Sequence, residues 1–358
     1  MQHDILALAK KFISIQSDPD NTAALKKILD AALVPLKGFT IEHFTTHGVR
    51  SALVYNTRTR PKKFSVILNA HLDVIPGKAS QYKPRVQGNN LYGVGSMDMK
   101  ANAACLILAF KEVAHTVDYP IALQLVTDEE VGGFYGTKYQ IEKGVRTDFI
   151  LAGEPTNFDI VNRAKGVLWL RITAKGESAH GAYPWRGDNA VWSMHEFLAA
   201  LKSKYPIPKK QEWVTTVNLS TMSTTNTAFN KIPDDCVVGL DIRYIPEDAK
   251  TVLRTIRALL PKALKLEVLA NEPSVATSPK DKHIALLERI GAKVTKKKII
   301  LRGAQGSSDA RHYKRVGSAG IEFGPIGAGI GSDDEWVDIP SLEKYHRIIK
   351  EFLLAVQS

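Results

Sequence analysis

His71, Asp73, Asp98, Asp128, Glu129, Glu130 and Glu154 are side chains of the kinds that bind metal ions or move protons. They sit where apolar runs end. His71 and Asp73 close FSVILNAHLDVI, Asp128 to Glu130 follow IALQLV, and Glu154 ends DFILAGE. Asp98 lies in the glycine-bearing stretch YGVGSMD, just before a run of helical composition. Each has an ordinary reading when taken alone. Asp98 can cap a helix, His71 can be a hydrogen-bonded edge residue, and Glu129-Glu130 can be solvated loop charge. Gathered in one crevice, these acids would raise each other's pKa and repel unless a cation compensated them. Imidazole plus carboxylates, with no thiolate, suits zinc or a neighbouring first-row ion. Asp73 would accept a hydrogen bond from the far ring nitrogen of His71 and so fix its tautomer.

The elements that must position these residues alternate in type. FSVILNAHLDVI, IALQLVTDEEV and DFILAGEP read as buried strands, separated by helical MKANAACLILAFKEVAH and YGTKYQIEKG. That alternation predicts an α/β fold with a parallel sheet covered on both faces. Ligands of such sheets bind at the carboxyl ends of the strands, where all these acids fall. From Gly166 the order becomes β-α-β-β-α-β, the arrangement of a small ferredoxin-like α+β domain. The α/β pattern then resumes. The expected organisation is a discontinuous large domain, residues 1–164 and 274–358, with the smaller domain, 165–273, inserted into it.

Composition narrows the function classes. The chain has 358 residues, 44% hydrophobic and 24% charged, enough for a sizeable core in two domains. Its formal net charge is +11, but the lysines fall in short clusters without interleaved aromatics, so no nucleic-acid partner is expected. The charge suits anionic small substrates. Cys105 and Cys236 are the only cysteines, which argues against a disulfide framework and a thiolate zinc site. The N-terminal stretch lacks the features of a signal peptide, and no apolar run is long enough to span a membrane, so a cytoplasmic setting is expected.

NAHLDVIPG, YGVGSMDMKANAAC, TDEEVGG and GEPT, in this order and spacing, resemble the M20 family of metallopeptidases and amidohydrolases. GESAHGAYPWRGDNA, NKIPDDCVVGLDIRY and GAQGSSDAR match its later blocks, so the resemblance runs over nearly the whole chain. It implies a large zinc-hydrolase-type α/β catalytic domain with an inserted lid and dimerisation domain, and a homodimer. It implies two zinc ions bridged by Asp98, the first also held by His71 and Glu154, the second by Glu130 and a C-terminal histidine. Glu129 would be the general base, and Asp73 is counted with it among the catalytic residues as the partner that orients His71. His180, from the smaller domain, would reach the substrate carbonyl. Asn230 and Arg243 match positions that hold a substrate carboxylate, though Arg243 can equally pair with a neighbouring acid. Ser307 and Ser308 could donate hydrogen bonds to substrate.

One stretch departs from the pattern. The family's final motif, H-x-x-[DN]-E, aligns with GSDDE, which places Gly331 where the second histidine belongs. Glu130, Asp98, water and an inward-turned Asp333 or Asp334 are what remain for a second ion. The expected activity is hydrolysis of an amide in an N-acyl amino acid or small peptide bearing a free carboxylate. One zinc would bind tightly and a second weakly or not at all, with cobalt or manganese able to substitute. The alternative is a catalytically impaired or silent relative that binds a small carboxylate or serves as a dimeric scaffold.

Overall fold

The strand Phe64–His71 is buried at every position but Ser65, as a strand covered on both faces must be. In the computed structural model, which describes residues 2–356, it lies inside a nine-stranded sheet. Ile121–Val126 and Thr147–Ala152 run parallel to it on either side, and Ala319–Glu322 runs parallel to Thr147–Ala152. The parallel expectation holds for this centre only. Thr40–Thr46 and Val49–Tyr55 form an antiparallel hairpin that joins the sheet antiparallel to Ile121–Val126. Their connection is the pair His47-Gly48, both with positive φ (50° and 80°), which matches the twist of two-residue hairpin turns.

The helix Lys100–Val113 is apolar around most of its circumference and is buried accordingly. It packs against Gln2–Ile13 and Ile339–Ala355 in the main core. A small antiparallel sheet joins distant parts of the chain: Gly327–Ala328, Trp336–Asp338, Asn90–Tyr92 and Arg85–Gln87, in that order. Its register sets Val337 opposite Leu91 and Trp336 opposite Tyr92.

The chain divides into two compact units. The first takes in the described residues up to Arg163, Ala276–Arg302, and those from Ser308 onward; the second is Ala164–Val275 with Gly303–Ser307. Ser307 and Ser308 therefore fall in different units. In the second unit a four-stranded antiparallel sheet has the order Thr216–Ser223, Asp235–Tyr244, Gly166–Lys175, Leu264–Glu272. Alternate residues Leu168, Leu170, Ile172 and Cys236, Val238, Leu240 and Ile242 face a core shared with the helices Ala190–Lys204 and Val252–Leu259. This is period-two burial of one sheet face.

Candidate metal centre

The carboxyl ends of the central strands converge. His71, the last residue of its strand, is 1% exposed. Its Nε2 lies 3.0 Å from Asp98 Oδ1 and 3.9 Å from Glu154 Oε2. One ligand atom from each of His71, Asp98 and Glu154 falls within 4.8 Å of the others, the one such group among the described residues. Asp98 does not act as a cap. The helix that follows has Met99 at its N-cap and no side-chain cap bond, while the Asp98 carboxylate turns to His71. Asp73 stands somewhat differently from the expectation. Its backbone carbonyl lies 3.0 Å from His71 Nδ1, its carboxylate 3.6 Å away, and Asp73 Oδ2 accepts from the Glu130 N–H at 2.9 Å.

The electrostatics are those of an anion-rich crevice. Burial alone would push His71 down, but Asp73, Asp98 and Glu154 outweigh it and hold the imidazole well above its ordinary range. Burial pushes Glu154 and Glu129 well up, against the pull of His71. It raises Glu130 to about 7. Glu154 Oε1 is buried without a hydrogen-bond partner. An orphaned buried oxygen beside an imidazole nitrogen and a second carboxylate fits a divalent first-row cation. Glu130 lies outside the three-residue group, and its Oε1 accepts from the Ile75 N–H at 3.3 Å.

Glu129 begins the short turn Glu129–Val131, one residue from Asp128. Its Oε1 is 3.6 Å from Arg311 Nη1. Arg311 Nη2 also donates to the Gly132 carbonyl at 2.6 Å, so the buried guanidinium holds the loop that carries Glu129. Nothing in the sequence singles out Arg311 for this role, although it stands in the matched block GAQGSSDAR. Glu322 is a second residue that sequence reasoning misses. It ends the strand Ala319–Glu322, and burial raises it to about 7, partly offset by the Ser308 hydroxyl and Arg302. Ser308 is buried and Ser307 half-buried.

The C-terminal acids separate into two kinds. Asp333 and Asp334 are exposed, and Asp333 pairs with Lys78 instead of turning inward. Glu335 is 3% exposed. Its carboxylate accepts the backbone N–H groups of Gly95 at 3.0 Å, Met97 at 2.8 Å and Asp98 at 2.9 Å. Burial nonetheless raises it to about 7. Gly331 has φ +70°, and a Cβ there would meet Ile75 Cδ1 at 2.9 Å.

In the second unit, His180 and Asn230 are exposed neighbours. The Gly181 N–H donates to the Asn230 carbonyl at 2.7 Å, and His180 pairs with Lys231 in an isolated bridge. The Ala182 N–H donates to His180 Nδ1 at 3.1 Å. Arg243 lies in the strand Asp235–Tyr244 and pairs with Asp241.

The family description Peptidase family M20/M25/M40 matches residues 67–355. The chain belongs to this family. Membership makes it a hydrolase of the peptidase and amidohydrolase type, within a metal-dependent family. A succinyl-diaminopimelate desuccinylase of Sphingopyxis alaskensis is 29% identical over 382 residues, spanning 99% of this chain and 98% of the relative. One from Pelagibacter ubique is 27% identical, spanning 97% of each. Among solved structures, aminopeptidase PepT of Bacillus cereus superposes with TM-score 0.79 at 18% identity, covering 99% of this chain and 98% of its own. The Bacillus subtilis YXEP protein, described as a dinuclear metal-binding peptidase of the M20 family, gives TM-score 0.73 at 13% identity, covering 99% and 97%. At such identities these structures speak to the fold alone. Among the described residues no helix is long and apolar enough to cross a membrane.

Within this M20 chain, Glu335 fixes the backbone of the loop that presents Asp98. Removing the carboxylate strands buried N–H donors, at a cost of about 3 kcal/mol. Glu335→Ala is therefore expected to lower the urea midpoint and to weaken binding of a divalent metal ion, measured by competition with a chromophoric chelator. Metal affinity equal to that of the unaltered chain would remove Glu335 from this role.

Proposed function

We propose that this M20 chain hydrolyses the amide bond of an N-acyl amino acid or small peptide bearing a free carboxylate, in the manner of a deacylase, desuccinylase or carboxypeptidase. The observation that carries the proposal is the convergence of His71, Asp98 and Glu154 within 4.8 Å. Zinc held by these three would supply Lewis acidity, polarising the amide carbonyl and acidifying water. Cobalt or manganese would substitute.

The chain's own residues do the rest. Glu129, half-buried and outside the three-residue group, takes the proton of the attacking water and returns it to the departing amine. Arg311, through the Gly132 carbonyl, keeps Glu129 in place. Asp73 orients His71 through its backbone carbonyl and holds the Glu130 N–H with its carboxylate. His180 polarises the scissile carbonyl, and Asn230, Arg243, Ser307 and Ser308 hold the rest of the substrate, the guanidinium taking the carboxylate. With Gly331 in place of a histidine, Glu130 and Asp98 hold a second ion weakly or not at all. The working unit is a cytoplasmic homodimer assembled through the smaller unit.

A panel of N-succinyl and N-acetyl amino acids and dipeptides tests the proposal, each assayed with zinc, manganese or cobalt. Hydrolysis of carboxylate-bearing members, abolished by a chelator and restored by zinc, is the expected result. No turnover on any member would favour the second reading, which rests on Gly331: a silent relative that binds a small carboxylate or serves as a dimeric scaffold.

A further inference from the structure

The second unit's sheet buries one face against its helices and leaves Trp169, Asp241 and Arg243 at least partly exposed on the other, where they form a chain of contacts. In the register, Asp241 stands directly opposite Trp169, and Arg243 lies two residues on, hence on the same face. Asp241 Oδ1 accepts the Trp169 indole N–H at 2.9 Å and the Arg243 Nε–H at 2.9 Å, and its Oδ2 lies 3.2 Å from the same Nε. Arg243 is thereby gripped by its inner N–H alone. Its Nη1 and Nη2 groups have no partner among the described residues.

That geometry is specific. A guanidinium free of contacts is a mobile charge, and ordering it on a ligand costs affinity. One tethered at Nε by a fixed acid keeps the paired, parallel N–H bonds of its far edge, the edge that matches the two oxygens of a carboxylate. The acid also lowers the net charge of the trio, which trades undirected attraction for direction. Asp241 is occupied by two donors and is poorly placed to capture a substrate cation itself. The indole anchors the acid against the strand, so the three side chains form a series: Trp169 fixes Asp241, and Asp241 aims Arg243.

We propose that Asp241, anchored by Trp169, is the positioning residue that sets the Nη pair of Arg243 to receive a substrate carboxylate, and so makes the subsite discriminate a free acid from its amide. This rests on the reading of Arg243 as the carboxylate holder. The test uses the zinc-loaded full chain, the N-acyl amino acid hydrolysed best in the panel above, and the C-terminal amide of that compound. For Arg243→Ala, KM for the acid rises and the preference for acid over amide disappears. For Asp241→Ala, KM for the acid rises roughly three- to tenfold, with kcat within about twofold and the amide unaffected. Asp241→Asn, which keeps the shape and an acceptor oxygen, falls between. A structural role would move both substrates alike, and equal melting midpoints would exclude misfolding. If Arg243→Ala alters acid KM but Asp241→Ala leaves it unchanged or lowers it, the positioning role is overturned and the Arg243 reading stands. If Arg243→Ala leaves acid KM unchanged, the reading itself falls, as it does if no panel member is hydrolysed.

Discussion

Glu129→Gln is expected to cut turnover by roughly 10²- to 10⁴-fold, the range associated with a positioned general base, while leaving metal content intact. At 1.36 kcal/mol per tenfold, that is about 3–5 kcal/mol of barrier. The expectation follows from position. His71, Asp98 and Glu154 meet without Glu129, whose Oε1 lies toward Arg311. Glutamine preserves the size of the side chain and can still face the guanidinium, but it cannot take a proton from water. Elemental analysis beside steady-state kinetics separates the roles. Metal lost in step with activity would make Glu129 a ligand, and unchanged turnover would remove it from the chemistry.

The second large effect concerns the stretch GSDDE. Metal analysis of the unaltered chain is expected to find about one tightly held ion, because Gly331 brings no side chain and Asp333 and Asp334 are exposed. Restoring a histidine is not a simple gain. Gly331 sits at φ +70°, where a side chain costs about 1–2 kcal/mol. Its Cβ would also press on Ile75 Cδ1 at 2.9 Å. That contact is the far end of a side chain that is 42% exposed, so it can give way cheaply. Gly331→His combined with Ile75→Val, which removes the offending methyl, is expected to take up a second equivalent of zinc and to raise turnover. Gly331→His alone should do so more weakly. Two tight ions in the unaltered chain, or one in the double variant, would defeat this account of the site.

Much of the candidate centre is legible in the sequence because its residues are tied to local pattern. His71 and Glu154 follow buried apolar strands, and strands in such a sheet end on one edge. Asp98 is legible only through its company, since an acid before a helix is ordinarily a cap. The parallel expectation, read from three apolar runs, holds for those runs, but it passes over TIEHFTTHGVRSALVY, which turns at His47-Gly48 as a hairpin and joins the sheet antiparallel. Glu335 is out of reach. The strands that bring it to the Asp98 loop, Asn90–Tyr92 and Trp336–Asp338, are three residues each, too short to show a period, and they pair across most of the chain. Arg311 and Glu322 share that difficulty, since their partners Glu129 and Ser308 are set by tertiary packing and no spacing reveals them. For Arg243 the sequence offers a carboxylate holder and a partner of a nearby acid as alternatives. The contact with Asp241 is present, and whether it competes with a substrate or serves it is what the acid and amide comparison measures.

The grip of Glu335 on the Asp98 loop spans 237 positions of sequence. During synthesis the ribosome therefore releases His71, Asp98 and Glu154 long before the acid that fixes the middle one exists. Until Glu335 emerges, the N–H groups of Gly95, Met97 and Asp98 lack the acceptor they have in the complete fold. Closure of this long-range contact is a late and entropically costly event. A product that stops short of Glu335 thus carries His71, Asp98 and Glu154 without the carboxylate that takes the N–H groups of Gly95, Met97 and Asp98.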